Sequence, residues 1–255
     1  MTAWAPGSLA PRPGAAPVRR MLASQTRAEL TLALRNSEQV LLTLVIPLGL
    51  LVVLTLIPFV AVTGRRVDFF VPGVLALAVM SSAFTGQAIA TGFERQYGVL
   101  KRLGATPLPR SVLLGAKTLG VLAVELLQLV AICLVGLALG WHPHGSPTAV
   151  LALVVLGTAA FSGLGLLLGG TLRGLTTLAA ANLVWFVLLL LGGVVFPLSQ
   201  LGAAEPVLRL LPTAALSDGL RTVLAGHGLP GRDLLALAVC AVVALVAASR
   251  AFRWE

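Results

Sequence analysis

Six apolar runs, each bracketed by charged or polar residues, leave this chain few ways to fold. The first is uncharged from Gln39 to Gly64 and the second from Phe69 to Phe93. A third extends from about Leu113 to Trp141 and holds Lys117 near its start and Glu125 in its middle. The fourth covers Ala149 to Leu172, the fifth Leu175 to Phe196, and the sixth Leu234 to Ser249, extendable through Phe252 with Arg250 snorkelling. A helix needs roughly 17–25 residues to cross a bilayer. In lipid the backbone must satisfy its own hydrogen bonds, which a helix does. The chain is 58% hydrophobic and 11% charged over 255 residues, whereas a soluble domain is about a quarter charged. The expected fold class is all-α, an integral membrane protein with six transmembrane helices in one domain over 39–252.

Lys and Arg set the expected orientation. With the N-terminus inside, thirteen of the 18 basic residues fall on inner segments, so both termini are expected in the cytoplasm. The same rule accounts for the net charge of +9 without nucleic acid as a partner. Residues 1–17 are rich in Pro, Ala and Gly and read as a disordered tail. Residues 18–38 read as an amphipathic helix lying in the cytoplasmic interface. Its expected apolar face holds Ala23, Thr26, Leu30, Ala33, Leu34 and Leu41, with Arg20, Arg27, Arg35 and Glu38 opposite. Met21 and Leu32 break that pattern. Gly165 and Gly169, like Gly136 and Gly140, have the spacing that lets membrane helices approach closely. They are expected to pack inside the bundle.

Between the second and third runs lies "TGFERQYGVLKRLGATPLPR" (residues 91–110). Residues 92–104 are expected to form one short helix. Phe93, Tyr97, Leu100 and Leu103 fall on one face, and Arg95, Lys101 and Arg102 point elsewhere. Gly104 is positioned as a C-cap, and Pro107 and Pro109 prevent continuation. Glu94 at the start suits the positive end of the helix dipole and a base on a partner. Gly98 leaves room for that partner's approach. A rigid charged helix held between two spans suits contact with a soluble partner.

In this segment the chain resembles the permeases of bacterial ABC-2 type exporters, including drug- or antibiotic-resistance and glycan-export permeases. Their pattern is close to E-R-E-x-G-T-L-E-x-L-x-x-T-P-L. Glu94, Arg95, Gly98, Leu100, Leu103, Thr106, Pro107 and Leu108 match it, whereas Gln96, Val99 and Lys101 depart from it, and Lys101 reverses a charge. A second similarity follows the fifth run. Phe196, Pro197, Leu211, Pro212 and Arg221 fit a family pattern that marks two short external helices, here over 201–229. The resemblance implies a multi-pass subunit of the bacterial plasma membrane that binds no cofactor itself. ATP and Mg²⁺ would sit on a separate ATPase subunit, two copies of which pair with two permeases, as a homodimer or as a heterodimer with a similar permease. Phe93, Glu94, Arg95, Tyr97, Gly98, Leu100, Arg102, Leu103, Thr106 and Pro107 would form the coupling contact, and Phe196, Pro197, Pro212 and Arg221 an external gate. The implied function is ATP-driven export of a hydrophobic or amphipathic substrate.

Other chemistries find less support. No GxxxxGK[ST] loop occurs, so the chain carries no nucleotide engine of that kind. No GxSxG or HExxH occurs, and His142, His144 and His227 lie in external loops away from other ligating residues. A proton- or ion-coupled secondary transporter remains the alternative because of Glu125, the single acid within a span. Gln128, one turn away, and Asn182 of the fifth run are its expected companions, either along a substrate path or switch or as a structural bridge.

Overall fold

The computed structural model describes residues 15–58, 60–62 and 64–252, with residues 37–40, 42 and 201 described in their backbone only. Most of the expected 1–17 tail and the side chain of Glu38 lie outside that description. The described residues are mostly helical, with no strand among them. Five helices are long and apolar enough to cross a membrane. The first consists of α3 (Arg66–Val79), a π-helical segment (Met80–Gly86) and α4 (Gln87–Gln96), which run on as one rod over Arg66–Gln96. The others are α6 (Arg110–Ala138), α7 (Pro147–Thr171), α8 (Gly174–Leu191) and α11 (Gly231–Ala251).

The first apolar run behaves differently from the other five. It forms α2 (Ser37–Leu56), whose described apolar stretch, Thr43–Leu56, is shorter than a span. Arg66 marks where this helix stops. Its guanidinium donates to the carbonyls of Thr55 (3.1 Å) and Val60 (2.9 Å) and to those of Leu54 and Ile57. A cation there satisfies the carbonyls that the helix end leaves open and suits the negative dipole end.

The rod α3–π–α4 is the centre of the bundle. In its most apolar window 83% of residues are buried, against 56% in α7 and 22% in each of α6, α8 and α11. The outer helices turn apolar stripes outward, such as Leu235, Val239, Val242 and Val246 on α11. Gly165 and Gly169 of α7 lie against the rod, where an added Cβ would fall within 2.9 Å of the carbonyl oxygens of Ala83, Phe84 or Ala88. Gly136 packs on Val71 and Trp141. Gly140 has a different role, ending α6 with φ +84°, a conformation that costs glycine little.

The first described helix, α1 (Val18–Arg35), lies along α6. The face it turns to the protein is rotated from the expected one. Met21, Leu22, Gln25, Thr26, Glu29, Leu30 and Ala33 are half-buried, while Ala23, Leu34 and Leu41 are exposed. The physical reason is Glu29, whose carboxylate is drawn inward by a buried lysine.

The expected single helix over 92–104 is two helices. Helix α4 ends at Gln96, Gly98 takes φ +71°, and α5 runs Val99–Gly104. Leu100 is buried with Leu113, Leu166 and Phe252, and Leu103 packs on them, whereas Tyr97 is 69% exposed. At the other end of the rod, a 3₁₀ segment (Leu198–Ala204), α9 (Glu205–Leu208) and α10 (Pro212–Leu224) follow α8. Proline opens α10, where its missing N–H costs nothing. Nine of that helix's 13 residues are buried against the bundle.

Candidate functional site

The end of the rod at Glu94 carries a buried ion triad. Lys117 Nζ lies 2.8 and 2.7 Å from the two carboxylate oxygens of Glu94 and 3.2 Å from Glu29 Oε2. The lysine side chain is 4% exposed, and those of Glu29 and Glu94 are 16% and 23% exposed. Gln25 donates to the other oxygen of Glu29 at 2.9 Å. Three elements therefore meet at one ammonium: α1 through Glu29, α4 through Glu94 and α6 through Lys117. Glu94 does not open a helix, as expected from the sequence, but sits in the last turn of α4. That is the wrong end for its charge, which Lys117 offsets from within the chain. Its neighbour Arg95 donates to the carbonyls of Gly170 and Leu172 at the end of α7, both at 3.3 Å.

Beside the triad lies a cavity of about 230 Å³ between α1, α2, the rod and α6. Glu29, Glu94, Lys117, Gln87 and Thr91 line one part of it, and Ala33, Ala90, Val121 and Val124 another.

The π segment is the hub of a polar network that joins it to five other helices. Trp185 of α8 donates to Ser81 (2.8 Å), and Ser82 donates to Gln128 of α6 (2.8 Å), whose amide donates to the Thr43 carbonyl of α2 (3.0 Å). Just beyond the segment, Ser162 of α7 donates to Gln87 (2.9 Å). Thr213 of α10 contacts the sulfur of Met80 at 3.4 Å. Wide π turns cluster at functional sites. The run "MSSAFTGQ" offered a signal for this hub in its serines, threonine and glycine at mid-span.

Glu125 is fully buried. Thr158 of α7 donates to its Oε2, while Oε1 has no hydrogen-bond partner among the described residues. Gln128 belongs to the π network instead, and Asn182 is exposed on α8. Glu125 and its two expected companions are thus not one group. The hydroxyl of Thr158, placed by a buried helix turn, takes the bridging position expected of Asn182.

At the far end of the rod, Arg221 of α10 is clamped. It donates to the carbonyls of Phe69 (3.2 Å) and Gly193 (2.6 Å) and to Asp218 (3.0 Å), and stacks 3.9 Å above the Phe69 ring. Gly73 makes the space, because a Cβ there would lie 2.9 Å from the Val194 carbonyl and 3.0 Å from the guanidinium. Burial pulls the Arg221 pKa down to about 10, with Asp218 opposing, so the guanidinium stays charged at neutral pH. Of the other residues expected at this end, Phe196 is 36% exposed and Pro197 half-buried, and Pro212 starts α10. Among the described residues no group of three or more His, Cys, Asp or Glu could hold a metal ion.

Compared with known families, residues 22–225 match the model of one described as ABC-2 type transporter. Among curated proteins, none matches the chain.

Proposed function

The chain belongs to the ABC-2 type transporter family, the membrane permease component of ABC-type transport, and we propose that it serves an ATP-driven exporter through contact with a separate ATPase subunit at the α4–α5 corner. The end of the molecule that bears α1 and α5 is cytoplasmic in this reading, α2 completes six spans, and α9 and α10 lie over the exit. Two permeases and two ATPase subunits form the working unit. ATP and Mg²⁺ belong to the ATPase, and the cargo is hydrophobic or amphipathic.

One observation carries the reading. The α4–α5 corner is anchored on one side and presented on the other: Glu94 and Leu100 tie it into the bundle, while Tyr97 and Val99 are 69% and 40% exposed. A bend at Gly98 between two short helices, rather than one straight helix, is what meets the partner. Closure of two ATPases on ATP would push this corner, and Lys117 would pass the push to α1 and α6. Such rigid-body switching biased by nucleotide is a common transporter device.

The test is co-expression and co-purification with candidate ABC ATPase subunits from the same source, together with cysteine cross-linking from Tyr97→Cys. The expected outcome is a cross-link whose yield changes with ATP. A complex that forms without any cross-link from this corner would sink the assignment.

A further inference from the structure

Asn182 is the ninth of the 18 residues of α8, halfway along a helix of span length, and its side chain is exposed. Its amide has no hydrogen-bond partner among the described residues. In this it stands apart. Every other exposed polar or charged side chain of the five span-length helices, such as Asp68, Thr176 or Ser249, lies within three residues of a helix end. Near an end, water or headgroups satisfy such a group; at the bilayer centre nothing does, and the amide is costly there. The residues around it are apolar. Leu175, Ala179, Asn182 and Phe186 are all exposed and form one stripe, at steps of four, three and four residues. That is the repeat of a helix packed along a second helix. The stripe is not the face that α8 turns to the rod, which consists of Thr177 against Gly92, Ala181 and Leu188. Ala179, one turn from Asn182, is small enough to let a second backbone come close.

We propose that this stripe is the seam between two copies of the chain, with the two Asn182 amides hydrogen-bonded to each other at its middle. A primary amide carries both an acceptor and donors, so it is complementary to itself. Two copies inserted the same way are related by a two-fold axis along the membrane normal, and such an axis brings each residue to its own counterpart. Depth decides between this occupant and others. A different partner would need a polar group at the level of Asn182, where spans are apolar, whereas a second copy supplies one by symmetry. Leu175 and Phe186 then close over the pair on either side and keep it dry. A lone polar residue in an apolar seam also fixes register, because any slip leaves both amides without partners. That two permeases pair at all belongs to the permease reading, on which this rests; that α8 is where they meet rests on Asn182.

The experiment uses the full chain in liposomes, with Cys133→Ala and Cys240→Ala as the background for single cysteines. On oxidation, Asn182→Cys, Ala179→Cys and Phe186→Cys are expected to give disulfide-linked dimers. Val130→Cys on α6 and Val243→Cys on α11, at positions 58% and 63% exposed, are expected to stay monomeric. Self-association is read separately, by energy transfer between labelled chains as lipid is added. Asn182→Leu should weaken it roughly tenfold, and Asn182→Gln should restore part of the loss. The thermal unfolding of the dilute chain should not change, because the amide bonds nothing in its own bundle. Dimers from Val130→Cys or Val243→Cys as abundant as those from Asn182→Cys, or an Asn182→Leu chain that associates like its parent, would overturn the seam and leave a two-permease unit standing. Labelling of Asn182→Cys by a membrane-impermeant maleimide, with no dimer band, would put the residue on a water-filled path and overturn the seam as well. A chain that stays monomeric at every dilution, even with ATPase subunits bound, would overturn the two-permease reading itself and the seam with it.

Discussion

At the Phe69 end of the rod, a buried cation is held by main-chain carbonyls; at the Glu94 end, a buried cation is held by carboxylates from two other helices. Arg221 spends its fork on Phe69 and Gly193, with Asp218 on its own helix. Those carbonyls can move only with the helices or turns that carry them. Lys117 donates to one carboxylate of α1 and one of α4. Side chains exchange partners by rotamer changes that cost far less than moving a backbone. The first arrangement suits a fixed closure. The second suits a joint that must come apart and re-form.

The largest expected effect comes from taking the cation out of the joint. Lys117→Met leaves two half-buried carboxylates without their shared cation and should cost up to about 3 kcal/mol, read as a large fall in thermal stability of the purified chain. Neutralising all three members together (Glu29→Gln, Glu94→Gln, Lys117→Met) should recover most of that loss. If the triple variant is as unstable as the single one, the ion triad is not what joins the three helices.

Next in size is Arg221→Leu, which leaves the carbonyls of Phe69 and Gly193 and the carboxylate of Asp218 unpaired. A loss of about 3 kcal/mol is expected from these charge-assisted bonds. Arg221→Lys should rescue it poorly, because an ammonium reproduces neither the fork nor the stacking on Phe69. Full rescue by lysine would show that the Phe69 end is held by charge alone and would erase the contrast between the two ends.

Gly98→Val puts a β-branched residue at φ +71°, where open space surrounds the Cβ. The expected cost is about 1–2 kcal/mol from the backbone alone. The chain should still insert, while ATPase coupling falls further than stability does. Normal coupling in that variant would remove the bend from the mechanism. The smallest change is Glu29→Gln. It removes the surplus carboxylate but keeps Lys117 paired with Glu94, and stability should move by no more than about 1 kcal/mol. A loss as large as that of Lys117→Met would show that Glu29, not Glu94, is the principal partner of Lys117.

The helices of the bundle were legible because lipid-facing and buried residues are both apolar, so runs such as 149–172 and 175–196 announce themselves. The end of α2 was not, because it depends on Arg66 reaching back to carbonyls up to twelve residues earlier. The corner after the second run was legible as polar and short. Its bend was hidden because Gly98 can serve equally as a helical contact and as a left-handed break. The triad was the least legible part. Lys117 and Glu29 lie 88 residues apart, and Glu29 sits on a helix whose polar face the arginines dominate. A buried lysine in an apolar run does require an acid, and with nine acids in the whole chain that requirement was a usable signal. Glu125 was recognisable as exceptional, but its hydroxyl partner Thr158 was one of many threonines in apolar surroundings.

The wide turn at Met80–Gly86 sets the two halves of the rod out of step. Each α-helical residue advances about 100° around the axis, and residues wound on the longer π repeat advance less. Arg66–Val79 and Gln87–Gln96 therefore share an axis without sharing a phase. The azimuth at which Phe69 offers its carbonyl to Arg221, relative to that at which Glu94 offers its carboxylate to Lys117, is one that an unbroken α-helix of the same sequence would not have. The angular setting between the two ends of the molecule is written in the winding of seven residues at its middle, remote from either.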